Sequence, residues 1–116
     1  MRGDEQRIVD AFCRHLEQER WRIEREVESV DVVAEREGVR MYVEAKGRSA
    51  SVGLDVDTMY GQILRRMPLE ENDARFALVV PVESRRSVLR VNSRVRGLLR
   101  LEVYTVDANG RVERVD

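Results

Sequence analysis

From Phe76 to Val82 the chain reads Phe-Ala-Leu-Val-Val-Pro-Val, a continuous apolar run with no polar side chain in it. Such a run, without the alternation of a half-exposed strand, predicts a strand buried on both faces, as in a sheet covered by helices on each side. The run therefore marks the centre of the fold.

The remaining segments supply the other parts of that sheet. Ile8, Val9, Phe12 and Leu16 recur at helical spacing and predict an amphipathic helix from about Asp4 to Glu19. Trp21 and Ile23, then Val30, Val32 and Val33, change to strand-like spacing. Val39, Met41, Val43 and Ala45 alternate with Arg40, Tyr42, Glu44 and Lys46, the period of a strand. Between these strands Glu35-Arg36-Glu37-Gly38 predicts a hairpin turn, with glycine supplying a positive φ.

Ser49 to Gly53 is small and polar and reads as a loop, followed by a helix from about Asp55 to Met67 with Met59, Ile63 and Met67 on one stripe and Pro68 closing it. After the apolar run, Ser84 is suited to cap a third helix. Its Val88, Val91, Val95 and Leu99 would face inward while Arg86, Arg90 and Arg94 form an exposed basic stripe. Leu101 to Val106 and Val112 to Val115 read as strands joined by the turn Asp107-Ala108-Asn109-Gly110. The expected fold class is α/β, a mixed β-sheet flanked by helices in the order α-β-β-β-α-β-α-β-β. At 116 residues, positions 1–116 suit a single domain.

Composition narrows the function. A net charge of −1 gives no global field that would draw the chain to nucleic acid, so any such affinity must be local. No apolar run approaches the ~20 residues needed to span a bilayer, and no signal peptide is evident, so a cytoplasmic protein with no membrane partner is expected. One cysteine, Cys13, excludes an internal disulfide and a multi-thiolate zinc site, and its helical setting suggests packing. His15, the only histidine, has no recognisable nucleophile beside it, and no glycine-rich phosphate loop is present.

The basic residues carry the sharper signal: 20 are arginine and one, Lys46, is lysine. Lysine offers a compact ammonium where arginine offers a planar fork, so a site needing a point charge beside a phosphate resists the exchange. On an alternating strand Glu44 and Lys46 share a face, about 7 Å apart, with Ala45 turned away. Hairpin pairing brings Asp31 near Glu44, giving two acids and a lysine at one end of a sheet. Two carboxylates and waters suffice for Mg²⁺, which supplies charge stabilisation and an activated water for phosphodiester hydrolysis.

The segments Ser29-Val30-Asp31, Val43-Glu44-Ala45-Lys46-Gly47-Arg48 and Gly61-Gln62-Ile63 resemble the D…ExK…Q pattern of the PD-(D/E)XK nuclease superfamily, in its Holliday-junction-resolvase-like and exonuclease-like branches. Val30 stands where the family has proline, and Arg66, four residues after Gln62, where some branches have tyrosine. The resemblance implies a restriction-endonuclease-like fold and a Mg²⁺- or Mn²⁺-dependent deoxyribonuclease. Asp31 and Glu44 would ligate the metal, with Lys46 and Gln62 completing the catalytic group. The family's first-helix glutamate position is occupied by Val9, which leaves Glu5, one turn earlier, as the substitute candidate. Arg48 and Arg66 are candidates for gripping the DNA backbone. The family also implies a homodimer, because two strands must be cut. Two further readings stay open: a catalytically inactive nuclease-fold module for nucleic-acid binding or protein assembly, and a structural homodimer.

Overall fold

The computed structural model describes residues 3–27, 30–68 and 70–115. The central apolar run forms β4 (Arg75–Pro81), and its side chains divide between two cores, Ala77 and Val79 on one face and Phe76, Leu78 and Val80 on the other. Val82 falls outside the strand. It is exposed, in a 3-10 turn over Val82–Ser84.

Among the described residues the sheet has six strands, laid side by side in chain order. β1 (Arg22–Val27), β2 (Val30–Arg36) and β3 (Val39–Ala45) form an antiparallel meander. β3, β4 and β5 (Leu101–Val106) are parallel, and β6 (Val112–Val115) returns antiparallel to β5. Glu37 and Gly38 alone join β2 to β3, with φ of 54° and 82°. Two positive φ values are what a two-residue hairpin link needs to follow the strand twist, which is why glycine stands there. At the β5–β6 turn the Asp107 carboxylate accepts from the amides of Asn109 and Arg111.

Parallel neighbours need crossovers, and both lie on one face. α2 (Val52–Arg65) joins β3 to β4, and α3 (Arg85–Val88) and α4 (Ser93–Leu98) lie between β4 and β5. Val56, Met59 and Ile63 of α2 and Val88 of α3 pack on Phe76, Leu78, Val80, Leu101 and Val103. α1 (Gly3–Gln18) covers the opposite face, setting Ile8, Val9, Phe12, Cys13 and Leu16 against Val32, Ala34, Met41, Val43, Val79 and Val106. This is the α/β sheet with helices on both sides that the sequence predicts, in a restriction-endonuclease-like arrangement. No described helix is long and apolar enough to cross a membrane.

The third helix departs from expectation. Instead of one helix from Ser84 through Leu99 there are two short ones, and Ser84 makes no capping hydrogen bond. Asn92 is the physical cause: its side chain accepts from the Val95 amide and starts α4 afresh. The helical register resets there, so Val95 is exposed and Arg96 is buried, its Nε donating to the Val91 carbonyl. The basic stripe is broken likewise, with Arg94 on a different helix from Arg86. α2 also begins earlier than expected, taking in Gly53, and ends at Arg65 before Pro68.

Gly47 fixes how α1 meets the end of β3. A Cβ at Gly47 would lie 2.5 Å from the Glu5 backbone nitrogen and 2.8 Å from the Asp4 carbonyl carbon. Only a residue without a side chain lets the start of α1 approach this closely. The Arg48 amide donates to the Asp4 carboxylate across the same contact. Gly47→Ala should force these backbones apart and cost about 1–3 kcal/mol, the usual range for overpacking. Urea denaturation checks this; an unchanged midpoint would show that the contact is slack.

Candidate functional site

The β2–β3 register pairs Val32 with Val43, and one further step sets Asp31 opposite Glu44. On its other side Glu44 is paired with Leu78 of β4. Opposite residues of an antiparallel pair share a face, so the two carboxyls meet, and their side chains are in hydrogen-bonding contact. Asp31 is tied further by its Oδ2, which accepts from the Ala45 amide at 2.7 Å. Glu44 is 5% exposed. The pair lies at the carboxyl end of a parallel strand, where open α/β sheets place their ligands. Ser29, part of the D…ExK…Q pattern, lies outside the described residues.

Two cations stand at this end of the sheet, Arg66 on Glu44 and Lys46 on Glu5. Arg66, just past the end of α2, donates from Nη1 to Glu44 Oε1 at 2.7 Å. Lys46 follows the last residue of β3, and its amide still bonds to the Val79 carbonyl, which holds the backbone in line. Its Nζ is 4.0 Å from Glu5 Oε1. Val9 on α1 is buried in the core, and Glu5 is the α1 acid that meets Lys46.

Burial raises the Glu44 carboxyl, and the negative Asp31 beside it raises it further. Arg66 works against them, and the result is a pKa of about 7. A second buried carboxylate, Glu102 in β5, shows the opposite balance. Burial works to raise it as well, yet Arg75 grips it with Nε and Nη2 at 2.6 and 2.9 Å, and the Tyr104 hydroxyl donates to it at 2.6 Å. Those bonds hold Glu102 below its ordinary range. Glu102 is a satisfied structural ion; Glu44 is a buried acid whose surroundings leave its charge undercompensated, which is the pattern of functional sites.

Gln62 is half-buried on α2, and among the described residues no hydrogen bond joins its amide to Asp31, Glu44 or Lys46. Arg48 is exposed at the rim. Arg66, a candidate phosphate ligand in the sequence, stands on Glu44. Asp4 was not legible as part of the site. Burial would raise its carboxyl, but the Arg48 amide and the Arg7 guanidinium outweigh that and keep it low. The glycine directly after the E-x-K triplet was the available signal for this anchor.

Comparison with known proteins gives the fold and stops there. The structure is similar to an FdxN element excision controlling factor protein from Anabaena variabilis, with a TM-score of 0.66 and 17% identity. That match covers 96% of this chain and 99% of the other. It is similar also to an XisH family protein from Nostoc punctiforme, with a TM-score of 0.62, 19% identity and coverage of 95% and 99%. No protein-family model and no curated protein matches the sequence. At these identities the likeness extends to architecture alone.

Among the described residues no three His, Cys, Asp or Glu side chains gather closely enough to hold a metal ion by themselves. Two carboxylates do meet, which suits a hard cation that keeps most of its waters, such as Mg²⁺ or Mn²⁺, and not zinc. The crowding that raises the Glu44 carboxyl is the repulsion such a cation would relieve.

The raised carboxyl has a stability consequence. Between the ordinary value of 4.5 and about 7 the folded chain holds a proton on Glu44 that the unfolded chain releases, so this contribution is full below that window and is lost as pH rises through it. Glu44→Gln cannot titrate. The stability of the natural chain relative to Glu44→Gln should therefore fall between about pH 5 and about pH 8. Urea unfolding of both proteins across that range reads the difference, and a constant difference would contradict the assignment.

Proposed function

We propose that this chain is a metal-dependent nuclease that hydrolyses phosphodiester bonds of DNA. The observation that carries the reading is the meeting of half-buried Asp31 with buried, undercompensated Glu44 at the end of β3, where the chain's one lysine follows in sequence and is paired with Glu5. The likeness to the D…ExK…Q pattern supports it, as does the restriction-endonuclease-like sheet. An excision controlling factor among the structural neighbours is compatible with work on DNA, although its low identity lends no activity.

In this reading Asp31 and Glu44 would hold Mg²⁺ or Mn²⁺, which supplies Lewis-acid stabilisation of the phosphate and an acidified water. The chain's own groups do the rest. Asp31, pinned to the Ala45 amide, keeps one carboxylate oxygen fixed to the β3 backbone, so the strand end cannot drift relative to the acids. Lys46 presents a compact ammonium to the phosphate or to the attacking water, and Glu5 at 4.0 Å orients that ammonium. Arg48, exposed beside them, offers a fork to a neighbouring phosphate. Gln62, half-buried on α2, would orient the substrate or the water. A homodimer would let two such sites act on two strands.

A second reading is a nuclease-fold module that binds DNA or a protein without cutting. The observation favouring it is Arg66, whose guanidinium stands on Glu44. Cleavage of duplex DNA in Mg²⁺ separates the two. Lys46→Ala should lower the rate roughly a hundredfold or more, the scale of losing a group that stabilises transition-state charge, with an unchanged far-ultraviolet spectrum. A rate that survives both Lys46→Ala and Asp31→Ala would remove the nuclease site. DNA binding without cleavage by the natural chain would favour the second reading.

A further inference from the structure

Among the described residues two buried glutamates are each met by a half-buried arginine, and the pairs are built differently. Arg75 meets Glu102 through two nitrogens of its fork, and Tyr104 and Arg114 add to that cluster. Arg66 meets Glu44 through Nη1 alone, on Oε1 alone. Both arginines reach solvent, Arg66 at 23% and Arg75 at 32% side-chain exposure, so the pairs differ in the number of bonds and not in burial. Arg66 also sits at the C-cap of α2, past the last helical residue, where φ of −99° and ψ of 3° have left the helix. One pair is held by a two-nitrogen grip and a tyrosine, and the other by a single contact.

We propose that Arg66 is a resident counter-ion that competes with the divalent cation for Glu44 and leaves it for a DNA phosphate, so that substrate and metal bind cooperatively. The inference rests on the nuclease reading and adds its regulation. In the absence of substrate the guanidinium offsets the Glu44 charge where a cation would otherwise act. A phosphodiester offers the same guanidinium two oxygens in a bidentate geometry, which a single carboxylate oxygen does not. Drawing Arg66 away removes the cation bonded to Glu44, and a divalent cation becomes the favourable replacement. Coupling between two ligands through one residue is reciprocal, so metal must raise DNA affinity by the factor by which DNA raises metal affinity.

The test is Mn²⁺ binding by calorimetry at about pH 8, with and without a short duplex DNA, for the natural chain, Arg66→Gln and Arg66→Met. Without DNA both variants should bind Mn²⁺ roughly tenfold more tightly than the natural chain; adding DNA should tighten the natural chain by a similar factor and leave the variants nearly unmoved. Mn²⁺ binding by the natural chain that is indifferent to DNA, or variants that bind it no more tightly, overturns this inference and leaves the metal site standing. No Mn²⁺ binding by any of the three proteins, with or without DNA, removes the nuclease reading and this inference together. The two substitutions differ in polarity, and thermal melts verify that each is folded, so a packing defect in one does not decide the outcome.

Discussion

Removing a carboxylate from water is costly, and removing it beside a second carboxylate is more so, because each disfavours the other's charge. The fold imposes both conditions on Glu44. Its position in β3 sets it between Asp31 on β2 and Leu78 on β4, with α2 closing the face above. Neither neighbour offers a positive charge, so compensation has to come from outside the sheet, and Arg66 brings it only in part. A buried carboxylate left undercompensated is the pattern of functional sites, and the same molecule shows with Glu102 how a buried carboxylate looks when its bonds hold it ionised.

Two local devices hold this unfavourable group in place. The Asp31 carboxylate bonds to the Ala45 amide, so the acids are fastened to the backbone and not merely near each other. Gly47 lets the first turn of α1 close on the strand end, which delivers Glu5 to within 4.0 Å of the Lys46 ammonium. The site is thus assembled from four separate elements, and the close approach at Gly47 links its geometry to the packing of a helix on the far face.

Much of the architecture could be read from side-chain period. β4 declared itself by an unbroken apolar run, β3 by alternation, and the hairpin between β2 and β3 by Gly38, where a positive φ was required. The hairpin in turn made the approach of Asp31 to Glu44 readable, since register follows from the turn. The split third helix was not readable by periodicity, because Val88, Val91, Val95 and Leu99 fit one helix. A side-chain cap at Asn92 overrode the pattern, a local hydrogen bond outweighing a weak preference. Nor did the sequence tell whether Arg66 would reach out to a phosphate or inward to Glu44, for both directions lie within the reach of one flexible side chain at a helix end. The bidentate Arg75–Glu102 pair was equally hidden, because it joins residues that only the parallel β4–β5 register brings together.

The most direct examination of the shared-cation claim is anomalous X-ray scattering from crystals grown with excess Mn²⁺. The account expects a Mn²⁺ peak between the carboxyls of Asp31 and Glu44, with the Arg66 guanidinium displaced from Glu44. Crystals in which Mn²⁺ is bound elsewhere, or in which Arg66 stays on Glu44 at saturating Mn²⁺ with no peak beside it, would contradict it.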